Sequence, residues 1–189
     1  MKPEDLMAKL EQYGALMHGH FKLTSGRHSD TYVQKQMILS HPRITATLGK
    51  AIAELYAETK FETVLSPAVG AILLGNAVAY AADTRFVFAE REEGGMKLRR
   101  GQALHPGERV LVVEDIVTTG GSVAEVIAAA EEAHADVVGV VALVDRTTSA
   151  PPFELTSLLR IEARDWTPEE CPLCAKGVPF DSPGSRHLS

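Results

Sequence analysis

The stretch Arg109-Val110-Leu111-Val112-Val113-Glu114-Asp115-Ile116-Val117-Thr118-Thr119-Gly120-Gly121-Ser122 decides how the rest of the chain is read. Four apolar residues in a row, Val110 to Val113, suit a strand covered on both faces, as in a parallel sheet. Two acids follow, then a loop of small residues leading into a helix predicted from Ser122 to about His134. A loop at the carboxyl end of a parallel strand is where open α/β sheets bind ligands. Gly120 and Gly121 let the backbone approach a ligand closely, and free N–H groups at a helix start favour an anion. Thr118, Thr119 and Ser122 add hydroxyl donors, so a monophosphate fits the loop. Glu114 and Asp115, just upstream, can accept hydrogen bonds from the hydroxyls of an attached sugar. The plainer alternative is a capping box, Ser122 with Glu125 three residues on, in which the glycines merely make the turn. A plain cap does not need two acids behind an apolar strand. Neither G-x-x-x-x-G-K-[ST] nor G-x-G-x-x-G occurs.

On either side of this stretch the pattern alternates. Leu6, Leu10, Tyr13 and Met17 predict an opening helix after Pro3. Phe21 to Asp30 reads as polar and turn-rich, with a short extended piece at Thr31 to Val33. A second helix fits Pro42 to Ala57, with Ile44, Leu48, Ile52 and Leu55 on one face. Then come a strand at Thr63 to Ser66, a tight loop at Pro67 to Gly70, a helix at Ala71 to Ala82 and a strand at Arg85 to Ala89. Glu90 to Leu104 reads as a long charged loop, Val137 to Val144 as a second buried strand, and the chain beyond Pro151-Pro152 as a Pro-rich tail. Such alternation calls for a mostly parallel sheet flanked by helices, and no repeat or boundary divides it. Residues 1–189 are therefore expected to form one α/β domain.

A net charge of −6 argues against nonspecific nucleic-acid binding, though a local cluster of cations can still hold a small anion. No apolar run approaches the ~20 residues that span a bilayer, so no membrane partner is expected. The first residues, Met1-Lys2-Pro3-Glu4-Asp5, turn acidic at once and do not read as a secretory signal; the cytoplasm is expected.

The string from Val110 to Ser122 resembles the phosphoribosyl pyrophosphate (PRPP) motif of the type I phosphoribosyltransferases, four hydrophobics followed by E-D-x-x-x-T-G-G-S. Three further segments resemble the orotate branch of that family. Phe21 to Ser29 is similar to its N-terminal F-x-L-x-S-G-x-x-S segment, which lies over the base. Ser66 to Ile72 is similar to its pyrophosphate loop, and Leu143-Val144-Asp145-Arg146 to the strand end whose Arg meets the orotate carboxylate. An Arg fork suits a carboxylate, which a purine base lacks.

The resemblance implies an α/β phosphoribosyltransferase fold with a small N-terminal hood at 1–40 and a C-terminal tail at 150–189. It implies PRPP binding by Glu114, Asp115, Ile116, Val117, Thr118, Thr119, Gly120, Gly121 and Ser122, and orotate binding by Thr118 and Arg146. Glu114 and Asp115 would also be catalytic, with the lid cations Arg91, Lys97, Arg99 and Arg100 closing over pyrophosphate. Mg²⁺ is implied as cofactor, held mainly by PRPP with no direct protein ligand, and a homodimer as the assembly. The lid is shorter than in many members and lacks the following His, and Thr24 stands where many have Lys. The short lid and the Cys-Pro-Leu-Cys tail resemble a bacterial subgroup of the orotate enzymes.

Two other functions compete: a purine phosphoribosyltransferase, and a PRPP-binding regulator without catalysis. Cys171 and Cys174 read as two reduced structural cysteines, with a redox pair as an alternative that lacks the strand-to-helix setting of thioredoxin-like pairs; a zinc site would need a second subunit or His187. The histidines at 18, 20, 28, 41 and 134 show no metal-ligand spacing, and Trp166 is assigned to tail packing.

Overall fold

The computed structural model describes residues 1–23, 25–162 and 164–181. Its centre is a six-stranded sheet of order β5-β4-β3-β6-β7-β8. Here β3 is Thr63–Pro67, β4 Arg85–Glu92, β5 Gly95–Leu98, β6 Arg109–Val117, β7 Asp136–Asp145 and β8 Thr156–Arg160. All neighbours are parallel except β4 and β5, which form an antiparallel hairpin.

Alternate residues of the central strands face opposite layers. Val64, Leu111, Val113, Val141 and Leu143 join one core with Leu6 and Leu10 of α1 (Pro3–Gln12), Ile38 and Leu39 of α2 (Gln36–Leu39), Leu48 and Ile52 of α3 (Pro42–Leu55), and Leu74 and Val78 of α4 (Ile72–Ala82). Leu65, Val110, Val112, Val140 and Ala142 join the other core with Val123, Val126 and Ala130 of α5 (Gly121–Glu132). Both faces of the sheet are dry. That is why β6 and β7 carry unbroken apolar runs.

A small second sheet, order β1-β2-β9, stands apart from the main one. It comprises β1 (Leu16–Lys22), β2 (His28–Val33) and the two-residue β9 (Asp165–Trp166), all antiparallel. A four-residue helix, α6 (Pro172–Ala175), follows β9. The α/β class and the parallel sheet expected from sequence are present, and the N-terminal sheet is the hood.

Several expected details change. Met17 lies in β1 rather than in the opening helix, because Gly14 turns the chain at φ +63° after α1. The segment Phe21 to Asp30, expected to be turn-rich, belongs largely to the β1–β2 hairpin, where His28 and Ser29 are buried. Glu90 to Leu104 is not one long loop: Glu93 and Gly94 turn it, and Met96 and Leu98 pack into the second core. β6 runs four residues past Val113, so Glu114 and Asp115 are buried strand residues rather than the loop's first. The tail contributes β8 to the main sheet, where Val141 pairs with Thr156 and Val144 with Leu159. Trp166 pairs with His28 in the hood, in keeping with tail packing.

Candidate functional site

The chain leaves β3 toward β4 on one side and returns to β6 on the other, so the sheet's order reverses between β3 and β6. The loops after those two strands flank a crevice at their carboxyl ends, the standard ligand position in such sheets. After β3 comes Ala68 to Ala71, with a cis peptide between Ala68 and Val69. After β6 comes Thr118 to Gly120, leading into α5.

Gly120 is the helix N-cap and sits in the left-handed region, φ +78°. A Cβ there would lie 2.9 Å from the Phe153 ring, so glycine serves both the turn and the packing. No side chain caps α5. The capping box is thereby ruled out: the helix begins one residue before Ser122, and the Glu125 carboxylate is taken by Arg91. The first N–H groups of α5 consequently face the loop without a side-chain acceptor. Thr118 and Thr119 are exposed there, and Ser122 is half-buried.

Glu114 and Asp115 are buried at the end of β6. Glu114 Oε1 accepts the Asp115 N–H at 2.8 Å. Burial, and then the neighbouring Asp115 charge, push the Glu114 pKa up to about 8. Asp115 pairs through Oδ2 with Lys35, which precedes α2 in the hood. A Cβ on Gly70 would overlap both Lys35 Nζ and Asp115 Oδ2. Gly70 thus lets the β3 loop close onto the acid pair. Ile116 and Val117 continue the strand, Val117 opposite Asp145 in β7.

Arg146 follows β7 directly and its N–H donates to Val117 O at 2.8 Å, which sets it beside the β6 loop. It is buried, 7 % exposed. One of its terminal nitrogens donates to Thr31 O of the hood at 3.1 Å, while its buried Nε has no partner among the described residues. Asp145 secures this turn by accepting the Thr147 N–H at 2.8 Å and a bond from Arg160 at 2.7 Å. The hood closes over the same end of the sheet. Arg27 forms an ion pair with Asp165 at 3.0 Å, and the Ser29 hydroxyl lies within 3.0 Å of Thr31 O and 2.9 Å of Arg164 O. Thr24 lies outside the described residues.

The four lid cations do not converge on this crevice. Arg91 pairs with Glu125 and Lys97 with Glu132 (2.9 Å), both acids of α5; Arg99 pairs with Glu92 and Arg100 with Glu90, each at 2.7 Å. In this conformation the hairpin is docked on α5. Glu114 to Ser122 and Arg146, by contrast, come together as one site. Lys35 and Thr31 carry no local pattern in the sequence and meet the acids and Arg146 only through the fold, whereas Gly70 belongs to the loop singled out between Ser66 and Ile72.

A second cluster was also missed. Cys171 and Cys174 are free thiols, and the histidines that show no metal spacing in sequence supply two neighbours for them. His20, His28, Cys171 and Cys174 place their ligand atoms within 4.8 Å of one another. The hairpin of the hood, not linear spacing, gathers them, and no second subunit is needed. His187 lies outside the described residues.

Residues 34–166 match the phosphoribosyl transferase domain family. The orotate phosphoribosyltransferase of Chlorobaculum parvum is 44% identical over 188 residues, covering 98% of this chain and 97% of that protein. That of Thermotoga maritima is 48% identical over 183 residues, covering 95% and 97%. Among solved structures, an orotate phosphoribosyltransferase of Mycobacterium tuberculosis with inorganic phosphate superposes with a TM-score of 0.67 at 28% identity, over 82% of this chain and 94% of that one. The Aeropyrum pernix orotate phosphoribosyltransferase shares the fold with a TM-score of 0.72 at 23% identity, over 82% and 93%.

Proposed function

We propose the function from a plain premise: the chain belongs to the phosphoribosyl transferase family and, within it, to the orotate phosphoribosyltransferases. It transfers the 5-phosphoribosyl group of PRPP to orotate, giving orotidine 5′-monophosphate and pyrophosphate. The observation that carries the assignment of roles is the meeting of two groups at one sheet end. Beside a glycine-rich helix start that can hold a phosphate stands a buried Arg146 with an unpartnered Nε.

Thr118 to Ser122 hold the 5′-phosphate on the first N–H groups of α5. Glu114 and Asp115 accept hydrogen bonds from the ribose hydroxyls. Arg146 faces the hood and takes the carboxylate of orotate; its free donor would otherwise remain buried and unmet, and a purine offers it no carboxylate. Positive charge develops on the ribose ring as pyrophosphate leaves, so no covalent nucleophile is needed. Positioning, the charge of the acid pair and exclusion of water beneath the hood supply the catalysis.

The residues fit Mg²⁺. Glu114 is a buried carboxyl whose charge is opposed by burial and by Asp115, and a hard divalent cation nearby would restore that charge. Held mainly by PRPP and water, Mg²⁺ would supply positive charge against the leaving pyrophosphate, with Glu114 and Asp115 the hard oxygen groups nearest to it. Arg91, Lys97, Arg99 and Arg100 reach the pyrophosphate by exchanging their present carboxylate partners for its oxygens. The whole chain acts as one domain, in the cytoplasm, as a homodimer. Among the described residues no helix is long and apolar enough to cross a membrane.

Spectrophotometric loss of orotate in the presence of PRPP and Mg²⁺, with adenine, hypoxanthine and xanthine as controls, tests the reading. Turnover of orotate alone is expected. Turnover of a purine without orotate would replace the assignment with the purine one, and binding of PRPP without any turnover would favour a regulator.

A further inference from the structure

We infer that His20, His28, Cys171 and Cys174 form a tetrahedral zinc(II) site that fastens the C-terminal segment to the N-terminal hood. His20 lies in β1 and His28 opens β2, with the hood's loop between them; Cys171 is the N-cap of α6 and Cys174 lies within it. His20, His28 and Cys171 are buried, while Cys174 is exposed and gives an ion its way in from solvent.

The spacing of the four donors is that of a coordination shell. His20 Nε2 is 3.4 Å from His28 Nδ1, 3.5 Å from Cys171 Sγ and 3.7 Å from Cys174 Sγ, and Cys174 Sγ is 3.2 Å from His28 Nδ1. Tetrahedral zinc with bonds of about 2.3 Å to sulfur and about 2.05 Å to nitrogen has edges of roughly 3.3 Å between nitrogens and roughly 3.5 Å between nitrogen and sulfur. These four separations fall around those edges, and the two remaining pairs, His28 with Cys171 and Cys171 with Cys174, stay within 4.8 Å.

Hydrogen bonding alone accounts for the cluster poorly. His20 Nδ1 lies 2.8 Å from Val178 O, and only an Nδ1–H can donate to a carbonyl, so in the neutral ring Nε2 carries the lone pair. Three polar atoms then converge on that single lone pair. One cation at the centre satisfies all four donors together. The Val178 carbonyl is also the outer partner a ligating histidine ordinarily has, fixing its tautomer and orientation.

The surroundings hold the same arrangement. The Phe180 ring packs on His20 with centroids 4.0 Å apart and on His28 at 4.8 Å, giving the imidazoles an apolar cover. Asp181 takes the His20 N–H on its carboxylate at 3.0 Å and returns its own N–H to His20 O at 2.7 Å. Two thiolates and two imidazoles are a soft donor set, which selects zinc and rejects the hard Mg²⁺ expected with PRPP. Each thiol that binds the ion releases its proton to solvent, and no electron is transferred.

The test uses the full chain purified without a metal-affinity tag and with reductant present. Elemental analysis is expected to find one zinc per chain. Exchange for cobalt(II) should give the visible absorption of a tetrahedral site together with sulfur-to-cobalt charge transfer. Removal of zinc by chelation should lower the melting temperature by about 5–10 °C, restored by zinc and not by magnesium. Cys174→Ser, at an exposed position, should fold, lose the charge-transfer band of its own sulfur and bind zinc at least tenfold more weakly. Zinc below about a tenth per chain, both as purified and after reconstitution, would overturn the inference. So would zinc binding unchanged in a folded Cys171→Ser/Cys174→Ser variant, or a Cys171–Cys174 disulfide persisting under reductant.

Discussion

The loop after β6 and the hairpin of β4 and β5 are both assigned to PRPP, yet they are built oppositely. The loop offers backbone N–H donors and the strand end behind it two buried carboxyls, fixed by β6, a left-handed Gly120 and the Lys35 pair. In the hairpin they are four cations on side chains 42% to 69% exposed, each matched to a carboxylate of its own chain. The loop is ready for an anion before one arrives. The hairpin must give up four ion pairs to meet one, and exposed pairs are weak enough, about 0.2–1 kcal/mol each, for a polyphosphate to displace them. Burial makes one half rigid and leaves the other loose, which suits the proposed division into a part that binds and a part that closes.

The largest effect should come from the rigid half. Asp115→Asn is expected to lower kcat on the order of 100-fold, with the circular dichroism spectrum retained. Unchanged kinetics would remove the acid pair from the chemistry and leave the loop a mere anchor.

Next in size is a pH effect confined to the same half. Glu114 keeps its proton in the folded chain up to about pH 8, whereas an ordinary Glu loses it near 4.5. Between those values the folded state binds the extra proton, so stability of the ligand-free chain should fall as pH rises through this window. Glu114→Gln has no proton to lose and should flatten that slope in denaturation measured from about pH 5 to about pH 9. A slope equal to that of the parent chain would place the buried charge elsewhere.

The smallest effect on stability belongs to the hairpin. Lys97→Ala should change unfolding free energy by less than about 0.5 kcal/mol while raising the KM for pyrophosphate in the reverse reaction. A loss above about 2 kcal/mol would make the hairpin a fixed part of the core, and the contrast with the loop would disappear.

The same contrast explains what could be read from the chain in advance. The β6 loop was legible because its determinants are contiguous: an apolar run, two acids and two glycines in one stretch. Arg146 was legible through the strand in front of it and through family resemblance. The hairpin was read as a loop because its charges mask the alternation of Met96 and Leu98, whose burial depends on α5 beneath them. Lys35 gave no signal, since it matters only where Asp115 meets it in space; Gly70 was legible as part of the Ser66–Ile72 loop, but its closeness to Asp115 was not. His20 and His28 were read as unrelated, because the residue count between them says nothing of a hairpin that brings both against the cysteines. The tail strand β8 was missed for its brevity, five residues after a Pro-rich stretch.

The central claim is that the substrate is divided, sugar phosphate on the β6 loop and base on Arg146. Paired dissociation constants of Arg146→Ala for orotate and for PRPP test it most directly. Orotate affinity is expected to fall roughly 10- to 100-fold, the loss of a charge-assisted pair, while PRPP affinity stays within about twofold. Equal weakening of both ligands, or of neither, would contradict that division.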